Sequence, residues 1–106
     1  TDMDGTILFS DNGKTYFKDS DLDAIKEFQK RGNLVAINSG RALPWITAPL
    51  EGYFLPDYLI AGTGSIIANK QQQILYEAPI SFTAIKKIIN EYSPDIPLTI
   101  HTKDNI

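Results

Sequence analysis

The apolar and polar positions of this chain fall into blocks whose lengths separate strands from helices. Two continuous apolar runs, Leu34-Val35-Ala36-Ile37 and Tyr58-Leu59-Ile60-Ala61, have the length and turn-rich flanks of strands buried on both faces of a parallel sheet. Ahead of the first run, Leu22, Ile25 and Phe28 recur at helical spacing. Asp19 or Ser20 can cap that helix, and Gly32 lies just past its end. Residues 42–50 predict a second helix, with Pro44 in its first turn and Pro49 ending it. Residues 65–68 and 74–77 predict two strands of a hairpin joined by the polar stretch 69–73. Beyond Pro79, Ser81 caps an amphipathic helix traced by Phe82, Ile85, Ile88, Ile89 and Tyr92, which ends before Pro94. Residues 98–102 alternate as a final strand. The polar stretch 9–18 contains Asp11-Asn12-Gly13, a strong turn signal that predicts a short hairpin or a flap.

The chain opens on Thr1-Asp2-Met3-Asp4-Gly5-Thr6-Ile7-Leu8, read as the end of a strand running into a loop. Strand, helix, strand over the first three dozen or so residues makes a βαβ unit, almost always right-handed. The fold class is therefore α/β with a parallel sheet. In such sheets ligands sit outside the carboxyl ends of the strands, and Asp2, Asp4 and Ser39 all fall at such ends.

With 106 residues the chain can bury a real but modest core. Its 42% hydrophobic and 22% charged residues are ordinary for a globular protein. No apolar run is long enough to cross a bilayer and no signal peptide opens the chain. The absence of cysteine excludes a disulfide framework or a thiolate metal site and is compatible with the cytoplasm. A net charge of −3 with no basic face argues against a nucleic-acid binder. Both ends read as interrupted, Thr1 inside a strand and Ile106 just after one, so the expectation is a fragment.

Side chains at i and i+2 of a strand face the same way. Asp2 and Asp4 can thus present both carboxylates to one site while Met3 turns into the core. Gly5 lets the chain leave the strand sharply, with bare N–H groups that a phosphate oxygen can approach. An acidic β-turn would use the same residues, but an EF-hand is excluded by register and by the missing twelfth-position Glu. Ser39-Gly40 is likewise either a strand-to-helix turn with a capping Ser or a ligand loop. Asp19, Asp21 and Asp23 are explained by helix capping and the helix dipole rather than by a metal. Trp45 reads as a core residue and His101, the lone histidine, as a surface or satisfied one.

Asp2-Met3-Asp4-Gly5-Thr6 resembles the first motif of the haloacid dehalogenase (HAD) superfamily. Ser39-Gly40-Arg41 at the end of the next strand resembles its second, in the form found in the Cof-type branch, subfamily IIB. Where that branch commonly has Asn-Gly-Ala after the third strand, this chain has Thr63-Gly64-Ser65, which keeps the Gly and removes the Asn amide. The resemblance implies a Rossmann-like, three-layer core over residues 1–78. It also implies the beginning of an inserted α/β cap of the C2 type over 79–106.

It further implies a Mg²⁺-dependent phosphatase acting on a small, sugar-phosphate-like metabolite. Asp2 would be the nucleophile and a metal ligand. Asp4 would ligate Mg²⁺ through its carbonyl and serve as general acid, then base. Ser39 and the N–H groups of Gly5 and Gly40 would hold the phosphoryl oxygens, with Thr6 beside them, and Arg41 would pair with substrate phosphate or with the cap. A phosphomannomutase-like mutase and a non-catalytic phosphometabolite-binding module are the alternatives. The family's Lys and second acidic pair are expected beyond Ile106, so the 106 residues alone are expected to bind Mg²⁺ poorly and not to turn over.

Overall fold

The computed structural model describes residues 1–93, 95–100 and 102. The chain enters beside the sheet. Thr1 N donates to Ala36 O and Asn38 N to Thr1 O, both at 2.8 Å, the hydrogen-bond pattern of a parallel pair with Thr1 opposite Ile37. The predicted opening strand is therefore present only as this one-residue contact. The chain then folds back on itself: Met3 O accepts from Thr6, Ile7 and Leu8 N at 3.3, 3.0 and 2.9 Å. Gly5 supplies the φ of +76° that this reversal requires.

Out of the turn rises an antiparallel hairpin of β1 (Leu8–Asp11) and β2 (Lys14–Phe17). Asn12 and Gly13 at its tip both have positive φ, 49° and 77°, as a two-residue hairpin turn matching strand twist demands. This is the hairpin expected from Asp11-Asn12-Gly13. Leu8 and Phe17 face each other on its buried side, while Phe9 stacks on Tyr16 with centroids 5.8 Å apart on the other.

Helix α1 (Asp19–Lys30) follows, with Leu22 buried and Ile25 packed against the core. Its cap differs from expectation. The N-cap is Lys18, with no side-chain hydrogen bond, and Asp19 and Ser20 lie inside the helix. Lys18 already has the extended backbone that closes the first turn (φ −78°, ψ 134°), so Asp19 acts through its charge near the helix N-terminus. At the other end Gly32 N bonds Gln29 O and Asn33 N bonds Phe28 O, the paired bonds of a Schellman ending.

Strands β3 (Ala36–Asn38), β4 (Tyr58–Ala61), β5 (Ile66–Asn69) and β6 (Ile74–Glu77) form one sheet in that order. β3 and β4 are parallel, but β5 and β6 run antiparallel, with a register shift at Ile67/Ala68. The sheet is thus mixed: the predicted hairpin does not stand apart but extends the sheet from β4. The run 34–37 is not buried on both faces, since Leu34 is 66% exposed while Val35 and Ile37 are buried. Alternation wins there because Leu34 lies ahead of the paired segment.

Helix α2 (Leu43–Leu50) carries Pro44 in its first turn, as its sequence predicts, and runs one residue past Pro49, the expected end. It buries Leu43, Ile46 and Leu50. Those positions define its inner stripe, so Trp45 falls outside it and is half exposed rather than in the core. The core gathers Met3, Ile7, Leu8, Phe17, Leu22, Ile37, Ile46, Leu59 and Ala61, among others. Helix α3 (Phe82–Tyr92) is capped by Ser81, whose hydroxyl accepts from Ala84 N at 3.2 Å, and buries no residue. The strand predicted over 98–102 is not seen at its described positions. His101, like Pro94, lies outside the described residues. No helix among the described residues is long and apolar enough to cross a membrane.

Candidate phosphoryl-transfer site

The alternation expected at the chain start is present. Met3 is fully buried, and Asp2 and Asp4 on either side of it are exposed. Thr1 lies opposite Ile37, so continuing the same register sets Asp2 beside Asn38, with Ser39 one step beyond, all at the carboxyl edge of the sheet.

The loop after β3 is tied to this acidic turn by one side chain. Arg41 Nε donates to Asp4 Oδ2 at 2.8 Å and Nη2 to Asp4 Oδ1 at 2.6 Å, a two-pronged ion pair. Its remaining Nη1 donates to Trp45 O at 2.9 Å. The guanidinium is therefore committed to Asp4 and α2, where sequence reasoning placed it on substrate or cap. Asp2 is bound more lightly: Thr6 Oγ1 donates to its Oδ2 at 3.3 Å. Thr6, expected among the phosphate-binding groups, stands instead against Asp2.

Ser39 is the one buried polar residue among those described, 6% exposed. Its Oγ accepts from Arg41 N at 3.2 Å, which leaves its own proton to donate outward. Among the described residues the Gly40 N–H has no acceptor. Gly5 does not behave as expected: its N–H donates to Leu8 O at 2.8 Å. The positive φ that turns the chain aims this N–H back at the hairpin, so it is spent on the fold. Of the donors expected to face a phosphoryl group, the Gly40 N–H is unengaged among the described residues and the Gly5 N–H is not.

The donor set also suits a hard cation. The Asp2 carboxylate and the Asp4 carbonyl are oxygen donors of the kind Mg²⁺ takes, and the Asp4 carboxylate is occupied by Arg41. Among the described residues no group of three or more His, Cys, Asp or Glu comes together as a metal cluster. The Asp2 carboxylate and the Asp4 carbonyl could make up only part of a coordination sphere.

Two open grooves lie elsewhere: one between α2, the 51–56 segment and the β5–β6 turn, the other between β6 and α3. Neither contains an Asp2, Asp4 or Ser39 contact. Asp2 and Asp4 are exposed and line neither groove.

A family model described as haloacid dehalogenase-like hydrolase matches residues 1–106. An uncharacterized protein of Mycoplasma capricolum is 32% identical over 101 residues, covering 86% of this chain and 38% of that protein. A haloacid dehalogenase-like hydrolase from B. subtilis superposes with a TM-score of 0.78 at 20% identity, over 89% of this chain and 32% of the other. A Bacteroides thetaiotaomicron protein, analysed among the phosphatases of the haloalkanoate (HAD) enzyme superfamily, superposes at 0.68 and 20% identity, over 87% of this chain and 35% of its own. The chain thus spans between 32% and 38% of the length of these relatives.

Proposed function

The chain belongs to the haloacid dehalogenase-like hydrolases, and from that footing we propose that it carries the nucleophile half of a phosphatase site for a small phosphorylated metabolite. The observation that carries the proposal is the Arg41 fork on Asp4. It fastens the Ser39-Gly40 loop to the Asp2–Asp4 turn, so that a nucleophile, an acid/base and phosphoryl-holding donors share one sheet edge.

Asp2 is the exposed, lightly held carboxylate and attacks phosphorus. The bond from phosphorus to the ester oxygen breaks as the bond to the Asp2 carboxylate forms, giving an aspartyl-phosphate. A protonated Asp4 carboxyl gives its proton to the departing alkoxide; the carboxylate left behind, the form that the Arg41 fork holds, then takes a proton from the water that attacks the aspartyl-phosphate and releases inorganic phosphate. Both oxygens of Asp4 are held by Arg41, so each proton transfer requires one prong to open. Ser39 Oγ–H and Gly40 N–H hold the non-transferring oxygens. Mg²⁺, held by the Asp2 carboxylate and Asp4 carbonyl, would neutralise the negative charge of phosphoryl group and carboxylates together.

The sequence order of hairpin, Pro79 and Ser81-capped helix supports a boundary near residues 78–79, with a Cof-type cap beginning there. The Ala78 N–H still bonds Ser65 O in the sheet at 2.8 Å, and α3 beyond it buries nothing.

The test is Mg²⁺-dependent phosphate release by the full-length protein from a panel of phosphate monoesters. Asp2→Asn is expected to lower kcat by roughly a thousandfold or more. Unchanged release would remove Asp2 from this role, and isomerised ester without free phosphate would make the enzyme a mutase.

A further inference from the structure

Among the described residues three that are not glycine have positive φ: Asn12, Thr63 and Gln72. Asn12 and Gln72 occupy polar hairpin connections. Thr63 is different. It is β-branched, a residue type that rarely accepts the left-handed region, yet it sits there at φ 57°, ψ 37° just past β4. Gly or Asn would take that conformation more readily.

The backbone around it is fixed onto the loop that follows β3. Gly62 N donates to Arg41 O at 2.8 Å and Thr63 N to Ser39 O at 3.3 Å. These bonds set the Thr63 side chain over Gly40: a Cβ placed on Gly40 would lie 3.5 Å from Thr63 Oγ1. The residue is exposed, and among the described residues its hydroxyl has no hydrogen-bond partner. A strained backbone thus holds an unengaged hydroxyl against Gly40, on the side where a Cβ would stand. Thr63 is exposed where Ser39 is buried, so of the two hydroxyls it is the one open to the alcohol portion of an ester whose phosphoryl group Ser39 and Gly40 hold.

We infer that Thr63 is a specificity-determining residue whose Oγ1 hydrogen-bonds a hydroxyl of the substrate's leaving group, so that the site selects phosphate esters of polyhydroxylated alcohols; this rests on the phosphatase reading above. Its hydroxyl both donates and accepts, which suits a sugar or polyol hydroxyl and gives nothing to a bare aryl group.

The experiment compares kcat/KM of the full-length protein and its Thr63 variants on a hexose phosphate, glycerol phosphate and phenyl phosphate. Thr63→Val keeps the branched shape and removes the hydroxyl. It is expected to lower kcat/KM on at least one polyol ester by about fivefold or more, the scale of one lost hydrogen bond, with phenyl phosphate changed by less than about twofold. Thr63→Gly, which relieves the backbone and also lacks the hydroxyl, should show the same selective loss, and Thr63→Ser should restore it. Equal losses on all three esters, no loss on any, or wild-type turnover of phenyl phosphate alone would overturn the inference while leaving the phosphatase reading intact. Absence of Mg²⁺-dependent turnover of every ester by the wild type would overturn that reading and this inference with it.

Discussion

Arg41 shows at the scale of one residue how a surface contact can matter more for chemistry than for folding. Its pair with Asp4 leaves the two side chains 31% and 53% exposed, and exposed ion pairs contribute about 0–1 kcal/mol. Removing it should scarcely change stability. Its geometry is another matter, since a fork holds a carboxylate in one plane and a single ammonium does not. Arg41→Lys is therefore expected to keep thermal stability within roughly four degrees, an estimate from the small pair energy, while lowering kcat by about tenfold or more through misplacement of Asp4. A large loss of stability with kcat retained would show that the pair is structural. The pair was not legible in the sequence: 37 positions separate its partners, and nothing local says which acid an exposed Arg will choose. The spent N–H of Gly5 was equally hidden, because a positive φ can be foreseen at a glycine but the direction in which its N–H then points cannot. What could be read was the alternation of Asp2, Met3 and Asp4, which needs only strand periodicity.

Among the elements, the end of the sheet opposite the site is clasped by Asp57. Its Oδ2 accepts from Val35 N at 2.8 Å and from Gln29 Nε2 at 3.1 Å, and Gln29 Nε2 also reaches Leu55 O at 2.9 Å. One carboxylate thereby joins α1, the entry to β3 and the entry to β4. The Val35 N–H, then the Gln29 amide, hold the Asp57 carboxyl below the usual carboxylate range. Because the folded-state value is depressed, the clasp stabilises the fold above the unfolded carboxylate pKa and is lost as pH falls through the folded value. The prediction is a decline in stability below about pH 4 that is smaller in Asp57→Asn, measured by urea unfolding across pH; an identical acid decline in the variant would contradict it. Helices and hairpins were legible because capping residues, Asn-Gly and apolar spacing are local signals. The antiparallel attachment of β5 to β4 was not, since a buried apolar run carries no mark of its neighbour's direction. The α1 cap shifted by one residue for a related reason: three acidic residues in a row of alternating positions satisfy the helix dipole in more than one register.

Taken whole, the described protein is broad and thin, 50 × 35 × 17 Å with a radius of gyration of 16.4 Å, where a compact domain of this length would have about 13 Å. The thin dimension leaves apolar faces open: on α3, Phe82 is 70%, Ile88 43% and Tyr92 45% exposed. The same openness holds at the reactive edge, where Asp2 faces solvent. On the proposed reading Asp2 and the Asp4 carbonyl make only part of a metal sphere, so the test is made on the full-length protein. The most direct test of the central claim is to quench that protein with acid during Mg²⁺-dependent turnover of a phosphate ester and locate the phosphoryl group by peptide mass spectrometry. If Asp2 is the nucleophile, an acid-stable, base-labile phosphoryl adduct forms on Asp2 and is absent from Asp2→Asn; an adduct on Asp4, or turnover by Asp2→Asn with no adduct on either protein, would contradict that role.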